Sequence, residues 1–304
     1  MRFQGSICAI VTPFDANGAP DLEAFERLLG LHLAAATDGI VVSGSTGESA
    51  ALDESESDAL LGAALGRLHG RKPVIAGCGA AATHKALRLV RRARALGADA
   101  ALVVTPYYVR PTQEGLYRHY ATLADEGGLP VILYNVPGRT GCDLLPETVA
   151  RLAARTGIAG IKEARAEPER MQALLPLRRA DFCVLSGDDP SALRAMEAGA
   201  DGTVSVAANV VPRAFARLCA LARAGESGAA QALERELLPI YRILGVESNP
   251  IPAKWLLHRL GLIGAGLRLP LVELSPAWRV EAEACVARIR QLEAAADPAS
   301  ARVA

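Results

Sequence analysis

Short runs rich in Val, Ile and Ala recur about every thirty residues along this chain, and amphipathic stretches of helical period fill the gaps between them. The runs cover residues 6–11, 39–43, 74–77, 100–104, 131–135, 158–162, 182–186 and 202–206. They are nearly continuous in hydrophobicity, as strands buried on both faces of a helix-covered parallel sheet must be. The stretch 21–36 is the helical counterpart: Leu22, Phe25, Leu28, Leu29 and His32 form one apolar stripe. Thr83, Pro146, Pro190 and Pro212 punctuate further helix starts. Eight such units predict the α/β class and a (β/α)8 barrel. The competing arrangement is an open doubly wound sheet. It calls for a Gly-rich dinucleotide fingerprint after the first strand, where Val11-Thr12-Pro13-Phe14 stands instead.

After about Ala224 the strand rhythm stops, and 227–244, 251–260 and 275–294 read as helices. The predicted organisation is a barrel over 1–224, a C-terminal helical appendage over 225–296 packed on its exterior, and a frayed tail over 297–304.

Composition narrows the function. The chain has 304 residues, 51% of them apolar, enough for one large core. Lys plus Arg balance Asp plus Glu at 33 each, which argues against nucleic acid as a partner. The N-terminus lacks the apolar core of a signal peptide, and no apolar run reaches membrane-spanning length, so a cytoplasmic protein without membrane contact is expected. Six scattered cysteines without a CxxC pair read as buried, unbridged thiols. The five histidines fall in or beside helical stretches, away from strand ends, so no catalytic metal is expected.

Barrel enzymes carry their reactive groups at the carboxyl ends of strands. Four apolar runs end in candidates: Gly44-Ser45-Thr46-Gly47-Glu48, Thr105-Pro106-Tyr107-Tyr108, Tyr134-Asn135-Val136-Pro137-Gly138-Arg139-Thr140 and Gly160-Ile161-Lys162-Glu163. Lys162 is the sharpest signal, because the chain has 29 arginines and only four lysines. An amine, unlike a guanidinium, can lose its proton and become a nucleophile when burial lowers its pKa. Strand alternation places Ile158, Gly160 and Lys162 on one face, with Gly160 leaving room for the long side chain. The other reading is a lysine paired with Glu163 or Asp188.

Tyr134 favours the amine: a phenol beside an imine-forming lysine supplies the acid and base that imine and enamine formation need. Alone, it could equally fill the barrel end with its hydroxyl on backbone. The Gly44–Glu48 loop offers amides and the Ser45 and Thr46 hydroxyls to a small carboxylate, although turn chemistry explains the same residues. Arg139 could fork onto a second carboxylate or be a solvated loop arginine. The Asp188-Asp189 pair could orient a substrate or cap a helix, and capping is the favoured reading.

Taken together, these motifs resemble the dihydrodipicolinate synthases of the pyruvate-dependent aldolase superfamily, which also includes N-acetylneuraminate lyases. The likeness runs from Gly5-Ser6 through Asn249-Pro250-Ile251-Pro252 to Leu267-Arg268-Leu269-Pro270. Its marks are Gly44-x-x-Gly47-Glu48, Tyr134-x-x-Pro137 and Gly160-Ile161-Lys162-Glu163, with Arg139 and Leu185-Ser186-Gly187-Asp188-Asp189 separating synthases from other members. The resemblance implies that Lys162 forms an imine with pyruvate, without metal or organic cofactor, and that L-aspartate 4-semialdehyde is the second substrate. It further implies a proton relay of Tyr134, Ser45 and Tyr108, the last from a neighbouring subunit of a homotetramer built as a dimer of dimers. Thr46 is implied to hold the pyruvate carboxylate, Arg139 that of the aldehyde, and Gly187 and Val204 to line the substrate site.

Two departures are visible. Ser45 stands where the family usually has threonine, which keeps the hydroxyl and loses a methyl that restricts rotamers. Glu54, Ser57, Ala81 and Lys85 occupy the family's lysine-feedback positions, where inhibited relatives have two histidines, an asparagine and a carboxylate; weak or absent inhibition is expected. The rival functions are a lyase for a sugar acid or 2-keto-3-deoxy acid, which Arg139 disfavours, and a silent keto-acid sensor, which the set Lys162, Tyr134 and Ser45 disfavours.

Overall fold

The computed structural model describes residues 3–296. Eight strands among them close into one parallel barrel in sequence order: β1 Gly5–Ala9, β2 Gly39–Val42, β3 Val74–Gly77, β4 Ala100–Val104, β5 Val131–Asn135, β6 Ile158–Glu163, β7 Cys183–Ser186 and β8 Gly202–Ser205. Closure is made by β1 on β8, with Ile7 beside Val204 and Cys8 beside Ser205. Strand ends lie within two residues of those read from the sequence. The first ends at Ala9 because the Asn209 side chain, which accepts from Val11 N at 3.0 Å and donates to Ala9 O at 2.8 Å, takes over where the ladder stops.

The helices α1 Leu22–Ala34, α2 Glu54–Leu68, α3 Thr83–Leu96, α4 Gln113–Gly127, α5 Pro137–Thr140, α6 Pro146–Ala153, α7 Pro168–Leu174, α8 Asp189–Glu197 and α9 Pro212–Ala224 fall between and after the strands. Their starts follow the local chemistry. Asp21 caps α1 through Ala24 N, and Asp53 with Glu56 forms a reciprocal capping box on α2. Pro146 and Pro212 are first residues of their helices, where a missing N–H costs nothing. Thr83 opens α3 rather than preceding it, and its hydroxyl lies 2.9 Å from Nδ1 of the buried His119.

Alternation sorts the strand side chains into two layers. An interior cluster includes Ile7, Val41, Ile75, Ile132, Tyr134 and Val204; a larger one lies between sheet and helices. One expected face is corrected here. The β5–β6 pairing shifts between Val131 and Ile132, so that Val131 pairs with Ile158 but Ile132 pairs with Gly160. The extra residue, Ala159, turns inward and Ile158 joins the outer layer, so Ile158 does not share a face with Lys162. Gly160 also has a different purpose from the one expected: a Cβ there would lie 2.3 Å from Cys183 Sγ and 2.5 Å from Cys183 O, so it makes room for β7.

Helices α10 Ser227–Leu244, α11 Ile251–Arg259 and α12 Pro276–Ala295 pack outside the barrel, α10 lying against α8, α9 and α12. The tail expected to fray, 297–304, lies outside the described residues. No helix among the described residues is long and apolar enough to cross a membrane. All six cysteines are buried, and no disulfide joins them.

Replacing Gly160 by Ala is expected to lower unfolding free energy by about 3 kcal/mol, because the Cys183 sulfur can turn away but its backbone carbonyl, which the new Cβ would also meet, cannot relax by a rotamer change. Urea denaturation checks this; a loss below about 1 kcal/mol would show that β7 yields more readily than this packing allows.

Candidate active site

The carboxyl ends of β5 and β6 bring two of the predicted residues together. Tyr134 and Lys162 are register partners on neighbouring strands, and Lys162 Nζ lies 4.1 Å from the Tyr134 ring centroid. Lys162 is 5% exposed, so the amine sits inside the barrel mouth rather than in solvent. Neither carboxylate considered as its partner reaches it. Glu163 points to the other face and takes N–H groups from Asn135 and Arg165. Asp188 caps α8, accepting from Ser191 N at 3.1 Å and Ser191 Oγ at 2.6 Å. Its neighbour Asp189 is no cap: its Oδ2 accepts from the amides of Val206 and Ala207 and ties α8 to the end of β8.

The glycine that gives Lys162 its room is Gly187, just past β7. A Cβ there would lie 2.8 Å from Lys162 Cε and 3.0 Å from its Cγ. Val204 is buried in the interior cluster. Gly187 thus stands at the barrel's carboxyl end and Val204 in its lining.

The second strand delivers Ser45, half-buried, and Thr46, buried. Their loop is held in shape by left-handed backbone at Ser43 and Glu48, φ 52° and 55°. The amides of Gly47, Glu48 and Ser49 close on the carbonyls of Gly44 and Ser45, which removes two N–H groups, those of Gly47 and Glu48, from the nest the Gly44–Glu48 loop suggested. Thr46 Oγ1 accepts a hydrogen bond of 2.9 Å from Asn249 Nδ2, so its own proton remains to be donated. Arg139, exposed on α5, donates to Asn249 O at 3.1 Å. One residue of the C-terminal segment therefore touches both predicted carboxylate binders.

That segment is anchored by groups that sequence reasoning passed over. Glu48 and Lys254, each 1% exposed at the side chain, form an ion pair of 2.6 Å. Burial pushes the Lys254 ammonium down, and Glu48 pulls it back. Glu48 also accepts from Arg268 N, and the Arg268 guanidinium bonds to Glu56, Gly18 O and Ala51 O. Lys254 was visible as one of four lysines, yet scarcity could not separate a buried ion pair from a nucleophile. Asn249 carried no signal beyond its place in the stretch of resemblance.

Behind the strand ends is a buried polar cluster. Asn135 Nδ2 donates to both Glu163 oxygens, at 3.1 and 3.0 Å, and to Asp143 Oδ1 at 2.7 Å. Burial pushes the Glu163 carboxyl up to about 7, with Asn135 and Arg165 acting in the opposite direction. Its folded-state pKa is above its ordinary 4.5, so its contribution to stability is full below that value and is lost as pH rises through about 7.

Residues 2–289 match the Dihydrodipicolinate synthetase family. The chain belongs to that family. A 4-hydroxy-tetrahydrodipicolinate synthase from Xanthomonas axonopodis pv. citri is 56% identical over 97% of each chain. Among solved structures, a chloride-inhibited dihydrodipicolinate synthase from Acinetobacter baumannii complexed with pyruvate is 44% identical, covering 94% of this chain and 99% of its own with a TM-score of 0.92. That from Aquifex aeolicus is 40% identical, covers 95% and 98%, and also scores 0.92.

Against the family's expected relay, Tyr108 stands apart: it is 91% exposed, with a left-handed φ of 72°, on a tip where Tyr107 and Val109 are also exposed. A single chain does not bring it to Lys162. Glu54, at a feedback position, is held in ion pairs by Arg88 and Arg92, and Lys85 is exposed on α3.

Replacing Gly187 by Ala is expected to displace the Lys162 side chain and slow its covalent reaction with a keto acid on the order of a hundredfold, with little change in unfolding midpoint. Full labelling speed in that variant would show that the amine does not depend on this seat.

Proposed function

We propose that this chain condenses pyruvate with L-aspartate 4-semialdehyde to give 4-hydroxy-tetrahydrodipicolinate and water, in the formation of diaminopimelate and lysine. The observation that carries the reading is the buried Lys162 amine beside the Tyr134 ring, in a chain 56% identical to a synthase of that name. Lys162 adds to the pyruvate ketone, and loss of water gives a protonated imine. This imine is the electron sink, so the reading needs no further cofactor. A methyl proton leaves to form the enamine, whose carbon attacks the aldehyde. The substrate's own amine then displaces Lys162 and closes the ring.

Tyr134 is assigned the proton transfers at the imine, with Ser45 and Tyr108 completing the relay. Thr46 is assigned the pyruvate carboxylate, Arg139 the carboxylate of the aldehyde, and Gly187 and Val204 the walls of the substrate site. The exposure of Tyr107, Tyr108 and Val109 supports contribution of Tyr108 across a subunit contact, and we place the protein as a homotetramer, a dimer of dimers. A cytoplasmic setting belongs to the same reading; six buried thiols without a disulfide suit a reducing compartment. Arg139 on the rim favours a short acidic second substrate over a polyhydroxyl one.

Reduction with borohydride in the presence of pyruvate is expected to leave a covalent adduct on Lys162, located by peptide mass analysis, and Lys162→Arg should abolish both adduct and turnover. An unlabelled Lys162, or turnover retained in that variant, overturns the assignment. L-lysine at about millimolar concentration is expected to inhibit weakly or not at all, because Arg88 and Arg92 hold Glu54 and Lys85 repels the effector's ammonium. Clear partial inhibition in a dose response would contradict this.

A further inference from the structure

Immediately after the pair Tyr134 and Lys162 in the β5–β6 register comes the pair Asn135 and Glu163, pointing to the opposite face. Asn135 is fully buried and Glu163 is 1% exposed. Every polar position of the Asn135 amide is committed: Nδ2 to both Glu163 oxygens and to Asp143, Oδ1 to Leu144 N at 2.9 Å. Glu163 Oε1 also accepts from Arg165 N at 2.8 Å, so the carboxylate holds the chain just beyond Lys162 as well as the neighbouring strand. We propose that Glu163, clasped to Asn135, is a positioning residue that sets the spacing between the Lys162 amine and the Tyr134 ring. The inference rests on Lys162 being the imine-forming amine.

The chemistry of the clasp makes it sensitive to protonation. An ionised Glu163 accepts from Asn135 on both oxygens; a protonated one turns an oxygen into a donor that faces the Asn135 N–H₂ group, and one arm opens. The charged groups facing Glu163 are Asp143, Arg165 and Arg170. Both arginines are paired with Asp143 Oδ2, and Arg170 Nη1 also donates to Leu144 O at 3.1 Å. Burial raises the Asp143 carboxyl, but Asn135, Arg170 and Arg165 outweigh it, so it is held below the usual range. Glu163, with no cation among the described residues at hydrogen-bond distance from its side chain, is pushed up by burial to about 7. Two carboxyls on one asparagine thus have opposite tendencies, and only Glu163 changes charge near neutral pH.

The test is the rate at which cyanoborohydride traps pyruvate on Lys162 in the full chain, followed between about pH 6 and about pH 8.5. In the unsubstituted protein the rate should show an inflection near 7, falling on the acid side. Glu163→Gln, which mimics the protonated arm, should lose that inflection and trap on the order of tenfold more slowly above about pH 8, with its unfolding midpoint measured alongside. A folded variant with the unsubstituted rate and profile overturns the proposal. If the glutamine variant does not fold, Glu163→Asp decides. An inflection that moves supports a carboxyl at 163 as its source, and one that stays overturns it. Absence of any adduct in the unsubstituted protein sinks the functional reading; an adduct with an unchanged variant profile sinks only the clasp.

Discussion

A buried amine needs a place to lie, and at the mouth of this barrel that place exists because residue 187 has no Cβ. The Lys162 stem passes so close to Gly187 that any side chain there would meet its Cε at 2.8 Å. Parallel strands in a closed barrel project alternate side chains toward a shared axis, so space at the mouth is scarce. Glycines allocate it, and they do so separately. Gly160 lets β6 and β7 approach at Cys183, while Gly187 admits the lysine. The first choice is one of packing; the second determines where the reactive group of the site is.

A second constraint joins the C-terminal segment to the ligand side of the barrel. The Glu48–Lys254 pair is dry, and losing either partner would leave the other charged or forced to neutralise in a low-dielectric setting. Arg268 extends the same junction to Glu56 and to the carbonyls of Gly18 and Ala51. The loop that carries Ser45 and Thr46 is thus fixed from a segment two hundred residues away in sequence, and Asn249 connects that segment to Thr46 and Arg139. The C-terminal region belongs mechanically to the site although it contributes no strand.

Polar groups behind the strands complete the frame. The β5–β6 register fixes Tyr134 beside Lys162 on the inner face and Asn135 beside Glu163 on the outer one. Whatever moves one pair moves the other, since both lie on the same two strand ends. Asp189 has the corresponding place at β8, where it holds the amides of Val206 and Ala207. The interior therefore presents few polar groups, and their positions are set from outside.

Much of this was open to reading in the residues. Continuous apolar runs and a hydrophobic period of 3.6 are local properties, so the eight strands, helical stretches such as 21–36 and the run from Ser227 to Leu244 were visible in sequence. So was Lys162, because strand ends are where a barrel puts its chemistry and a scarce amine stands out among arginines. The bulge at Ala159, which moved Ile158 to the outer layer, depends on how two strands pair and leaves no period of its own. The exchange of roles between Gly160 and Gly187 was equally hidden, since what a glycine makes room for is decided by the neighbour across the gap. Asn249, Lys254 and Arg268 became part of the site only when the chain returned to the barrel mouth. Alternation and scarcity are written along the chain, whereas contact between distant side chains is a property of three-dimensional packing.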